Sequence, residues 1–206
     1  MLKKRSYIYG PVMFPSTHDI TPATVDACET VLLKLLDSGN QVLVVSKPHR
    51  ECISRLVESL APYKDNVLFR FTIGVMDEEL RAFWEPGAPA FSERLECLRL
   101  AFEAGYATSV SAEPLLEPWS VKTLVAAVSP FVTDSIWIGK LNNPGSRTKW
   151  AVDPTDSRLA KLLSWQTDEQ VKAIYEMFRN DPLVRWKESY KKVVGLDLAT
   201  EAGLDI

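Results

Sequence analysis

QVLVVSKPH, residues 41–49, is the stretch whose reading decides the fold. Its apolar run at 42–45 lacks the alternation of a half-solvated strand, so it reads as a strand buried on both faces, as in a parallel sheet. The run closes in a polar cluster, SKPH at 46–49. Four other strand-like runs end the same way: MFPSTHD at 13–19, FTIG at 71–74, SVSAEP at 109–114 and GKLNNPG at 139–145. Amphipathic helical runs separate them. This is the layout of a parallel α/β sheet whose site gathers at the carboxyl ends of its strands.

Working outward, further strands are expected at 7–14, 67–73, 107–111 and 134–139. The first helix is expected at 21–39, with Thr21 as cap, Pro22 at the first position and Gly39 as left-handed stop. Others follow at 51–60, at 91–104 before Gly105, and at 119–128. The segment 76–90, rich in Glu, Pro and Gly, reads as a loop or short lid over the strand ends. Past residue 142 the pattern turns irregular over 143–165. A capping box at Thr167 and Gln170 then opens a helix to 179, and a short helix follows at 183–193. The expected architecture is α/β: a partial (β/α) barrel of about five parallel strands over residues 1–145, with a C-terminal helical extension, 146–206, packed on it.

The chain has 206 residues, 46% of them hydrophobic, enough for one sizeable core. A net charge of -3 argues against a surface that is all nucleic-acid or acidic-membrane footprint. The N-terminus lacks a signal-peptide apolar region, and no run approaches the roughly 20 apolar residues of a membrane span. A soluble, cytoplasmic protein without membrane partners is expected. The three cysteines, Cys28, Cys52 and Cys97, are far apart and form no CxxC spacing. Cys28 keeps helical spacing with Val25, Leu32 and Leu35, and Cys52 lies with Ile53, Leu56 and Leu60, so both read as core residues rather than metal or redox ligands.

Taken together, the strand ends and their flanks resemble a known family. VMFPSTHDITP (12–22), VLVVSKPH (42–49), VLFRFTIG (67–74), WEPGAPAFSERLECL (84–98), GYATSVSAEPLL (105–116) and SIWIGKLN (135–142) are similar to the radical S-adenosylmethionine (SAM) enzymes, in the branch of spore photoproduct lyase and its relatives. The tail sequences VRWKES (184–189) and GLDI (203–206) resemble the end of such proteins. The resemblance implies SAM as cofactor. Lys47, in the SK pair with Ser46, would meet the SAM carboxylate, and Thr72 the ribose. Ser111 and Glu113 match, more loosely, positions that line the SAM pocket.

The resemblance also implies that His18 and Asp19, with Thr17 beside them, face the substrate, where a His-Asp pair could relay a proton. Alternatively, Asp19 caps the turn before Thr21 and His18 is a loop residue. Lys140 and Asn142 could bind an adenine or substrate edge, or satisfy loop backbone groups. In the tail, Arg179, Arg185, Lys187, Lys191 and Lys192, interleaved with Trp186 and Tyr190, could contact phosphate and stack on bases. The other reading there is a packing stripe with a solvated basic face. The family's chemistry also needs a CxxxCxxC loop whose thiolates hold a [4Fe-4S] cluster, and this sequence contains none. The expectation is that this chain alone does not bind the cluster. A second chain, or a longer parent, would supply that unit, and the substrate is unnamed. A catalytically silent barrel, serving as ligand-binding or scaffold protein, is the alternative.

Overall fold

The computed structural model describes residues 11–142 and 153–200. The expected strand positions 7–10, the stretch 143–152 and the GLDI ending lie outside these residues. Strands β1 (Val12–Phe14), β2 (Val42–Ser46), β3 (Val67–Thr72), β4 (Ala107–Ala112), β5 (Ile136–Ile138) and β6 (Val184–Trp186) form one sheet in sequence order. Every neighbouring pair is parallel. Helices α1 (Val25–Asp37), α2 (Arg50–Ser59), α4 (Phe91–Glu103) and α5 (Val121–Val128) carry the crossovers. A short helix α3 (Glu78–Trp84) lies between β3 and α4, and α6 (Ser157–Ser164), α7 (Asp168–Phe178) and α8 (Glu188–Val194) surround β6.

Alternation along the strands divides the sheet into two unlike faces. Val42, Val44, Phe69, Phe71, Val110, Ile136, Ile138, Val184 and Trp186 point outward into one apolar core. The helices supply the other half of that core, with Leu32, Ile53, Leu56, Leu98 and Val128 all buried there. The opposite, inner face carries Arg70, Thr72, Ser109, Ser111, Trp137 and Arg185 at the intervening positions. Helices therefore cover one face, and polar groups collect on the other.

Two expectations in the tail change. Part of the stretch read as irregular is the helix α6, capped by the Asp156 carboxylate, which accepts from Arg158 N. Residues 184–186, read as the start of a helix, are a sixth strand: β6 pairs with β5 and buries Val184 and Trp186 against the core. The valine and tryptophan alternate with Arg185, a period of two hidden inside an apparent helical stripe. Burial also overturns base stacking by Trp186 and Tyr190. Their rings stack on each other at 5.3 Å within the core. Arg179 pairs with Glu176 and Lys192 with Glu188, as on a solvated face. The first helix begins at Val25 with Thr24 as its cap, and Thr21 forms the turn before it, its carbonyl accepting from Val25 N at 2.9 Å.

The strand ends are held by close backbone contacts. Leu116 N donates to the Gly74 carbonyl at 2.8 Å, and Leu115 N to the Gly139 carbonyl at 2.9 Å, so the turn after β4 is pinned to both neighbours. Gly74 is there because of space: a Cβ at that position would lie 2.3 Å from the Pro114 carbonyl oxygen. We expect Gly74→Ala to lower the unfolding free energy by about 3 kcal/mol, as overpacking against backbone does. A urea denaturation curve matching the parent would refute that constraint.

Candidate functional site

At the carboxyl ends of β1 and β2 the chain builds a clamp around one carboxylate. Asp19 Oδ1 accepts the Lys47 backbone N–H at 2.7 Å, and Oδ2 pairs with Lys47 Nζ at 3.2 Å. The Ser46 hydroxyl accepts from Ile20 N at 2.9 Å and lies 3.5 Å from Asp19 Oδ1. The two strand ends are thus joined through side chains that the local sequence places just after the last apolar residue. Asp19 and Lys47 open onto a cavity of about 520 Å³, shared with Thr21 and His49. Its far wall is apolar: Trp84, Pro86, Pro89, Pro114, Leu116 and Leu141.

Trp84, Pro86 and Pro89 belong to the lid expected over 76–90, now with a helix inside it. Asp77 caps α3 by accepting from Leu80 N at 2.9 Å, a signal present in the sequence but masked by the surrounding Pro and Gly. Glu117, buried after β4, accepts from both Met76 N and Asp77 N and fixes the lid's start. Its end is held by Arg94 of α4, which is fully buried. Arg94 Nε donates to the Pro89 carbonyl at 2.8 Å, Nη1 to the Thr72 carbonyl at 3.1 Å and Nη2 to Glu85 at 2.6 Å. One guanidinium therefore ties the lid to the end of β3. Leu80 and Trp84 pack with Leu116, Leu141 and Leu162, so α6 backs the lid from outside. Arg158 of α6 stands 3.5 Å over the Phe83 ring.

Of the residues expected at the site, Asp19 and Lys47 line this cavity. Thr72 and Ser111 sit beside each other on the inner face, in register with Trp137 and Arg185. Lys47 follows Ser46, the register partner of Phe71, and so heads the same row. Glu113 lies against Gly139, with Asn142 Nδ2 at 3.4 Å and Lys187 Nζ at 3.6 Å from its carboxylate. The Lys140 ammonium is 3.5 Å from the Gln166 carbonyl. His18 and Asp19 turn to different partners: the His18 ring lies 3.5 Å from Thr17 Oγ1 and 3.8 Å from Cys28 Sγ. Arg94, Glu85, Glu117 and His49 were not singled out from sequence. Arg94 reads there as one more charge on an amphipathic helix, and only its burial distinguishes it.

No protein-family model matches the chain. Over 112 residues it is 31% identical to the uncharacterized protein ORF301 of Acidianus two-tailed virus, a match covering 54% of this chain and 36% of that one. Among solved structures, SuiB of Streptococcus suis bound to S-adenosylmethionine aligns with a TM-score of 0.54 at 12% identity, over 84% of this chain and 39% of SuiB. A second SuiB structure gives the same score over 86% and 41%. The fold is shared with SuiB. At that identity the likeness concerns fold alone, and it gives no support to the spore photoproduct lyase branch. The chain spans less than half the length of either ORF301 or SuiB.

Cys28, Cys52 and Cys97 are free and buried. Among the described residues no three His, Cys, Asp or Glu side chains converge as a metal site, and no helix is long and apolar enough to cross a membrane. Burial pushes the Cys97 thiol up to about 12 and Cys52 to about 11, from an ordinary value of 9.0. Both are therefore neutral at pH 8. The unfolded chain ionises first, so these thiols favour the fold below pH 9.0 and withdraw that support as pH climbs through 11 to 12. Native protein should resist a thiol-titrating disulfide reagent at pH 8, and denatured protein should consume it fully. Rapid native labelling of Cys97 would contradict its burial. Arg94→Met strands Glu85 without its partner and should cost about 3–5 kcal/mol. Hydrogen exchange at 85–89 should quicken with it, and unchanged exchange there would show that Arg94 does not hold the lid.

Proposed function

We propose that this chain is a radical SAM-like protein, or part of one, whose strand ends hold S-adenosylmethionine. The observation that carries the reading is the Asp19–Lys47 pair opening onto a roofed cavity at the carboxyl ends of a sheet that shares its fold with SuiB. The donor set fits the molecule. An amino-acid end brings one ammonium and one carboxylate, and Lys47 and Asp19 offer the two complements side by side. A volume of about 520 Å³ lies within the usual range for small-ligand pockets.

In this reading Lys47 Nζ turns from Asp19 to the ligand carboxylate, while Asp19 accepts from the ligand ammonium and stays oriented by the Lys47 backbone N–H. Ser46 holds the end of the first strand in place through Ile20 N. Thr72, Ser111 and Glu113, further along the inner face, carry the ribose side. Trp84, Pro86, Leu116 and Leu141 exclude water. Thr17, His18, Lys140 and Asn142, on the loops after β1 and β5, meet the substrate, and His18 and Asp19 are the candidates to move a proton. When bound, the cofactor supplies hydrogen-abstraction chemistry once an electron reaches it. The described residues offer a [4Fe-4S] cluster no ligand set, so that electron would come through a cluster held by another chain or a longer parent.

The separate burial of all three cysteines favours a second reading, a barrel that binds its ligand without radical chemistry. Calorimetric titration with S-adenosylmethionine tests what both share. Binding should be saturable and at least tenfold weaker in Lys47→Ala, the loss of one charge-assisted contact. An absence of heat in the parent protein would sink the cofactor assignment.

A further inference from the structure

Two buried donors on the inner face make no hydrogen bond among the described residues: Nη2 of Arg70 and Nε1 of Trp137. Arg70 is 4% exposed and Trp137 6%. Buried polar groups are nearly always satisfied, and a pair left open on one face of a sheet calls for an acceptor. The two are neighbours. The Arg70 guanidinium stands 5.4 Å from the centre of the Trp137 ring, and the Lys187 ammonium lies 5.0 Å from the same ring. Arg70 Nε is already spent on the Ser109 hydroxyl at 2.9 Å, which fixes the guanidinium plane.

The charges here are only loosely matched. Asp134 approaches Arg70 Nη2 at 3.6 Å and Glu113 approaches Lys187 Nζ at 3.6 Å, both beyond hydrogen-bond length. Glu113 lies flat over Gly139, where a Cβ would meet its Cγ at 2.9 Å, so this carboxylate covers the β5 strand just above Trp137. Glu113 and Lys187 are each about a quarter exposed, so both can be reached from solvent.

We infer that the inner face around Trp137 binds an oxyanion, the carboxylate or phosphate group of the substrate, between Arg70 and Lys187. Glu113 is its internal competitor: the incoming anion takes Lys187 from it and receives the open donors of Arg70 and Trp137. The inference rests on the preceding section only in calling the ligand a substrate.

The test is a titration of tryptophan fluorescence with sodium phosphate and, separately, sodium acetate, at ionic strength held constant with chloride and with no S-adenosylmethionine present. A failed cofactor titration leaves this one untouched, and the reverse also holds. A saturable change with either salt is expected, and which salt responds identifies the group. The change should vanish in Trp137→Phe, weaken about tenfold in Lys187→Met for a lost charge-assisted bond, and tighten in Glu113→Gln. Lys187 is partly exposed, so its variant keeps the fold where Arg70→Met could lose it. No response to either salt, a response that survives Trp137→Phe, or an unchanged affinity in Lys187→Met would each overturn the inference.

Discussion

The sheet has one wholly apolar face and one on which polar side chains are set among apolar ones such as Leu43 and Trp137, and the rest of the molecule follows from that division. Parallel strands need crossovers, and here the helices lie over the outward-pointing Val44, Phe69, Phe71, Val110 and Ile138. That core carries the hydrophobic stabilisation of the fold. The inner face also buries Arg70, Ser109 and Ser111, polar side chains that the helix-covered face does not carry. Function has room on this sheet because stability is concentrated on the other side.

The strand ends show how such a face becomes a site. Three of the crossovers carry residues that satisfy backbone groups of a neighbouring strand or of the lid: Asp19 for Lys47 N, Glu117 for Met76 N and Asp77 N, Arg94 for the Thr72 and Pro89 carbonyls. Ionised groups are used because they make the stronger hydrogen bonds where a loop has few apolar contacts. The cavity wall is therefore set by three charged residues rooted in three different connections. Its geometry is more fixed than its loop composition suggests.

Much of this was legible in the sequence. The continuous apolar run at 42–45 and the polar clusters closing each strand pointed to the parallel sheet, and Lys47 and Asp19 were recognisable as strand-end residues, though not as partners of one another. What escaped was what tertiary pairing decides. Residues 184–186 carry too short an alternation to separate from the helix that follows, and only the exposed edge of β5 makes them a strand. The Arg94–Glu85 pair spans a lid with no periodic pattern, so neither partner announces the other. Arg70 and Trp137 belong to separate strands, and their meeting depends on register, which no single run records.

The late position of β6 has a consequence for how the molecule comes into being. A nascent chain emerges from its amino end and its units fold as they appear. Five strands and their helices can assemble in order, yet Ile136 and Ile138 then stand at an open edge until Val184 and Trp186 arrive to cover them. Lys187 follows directly behind, so the inner wall above Trp137 is completed only when β6 docks. The final strand thus both pairs the edge of β5 and delivers a cation to the inner face.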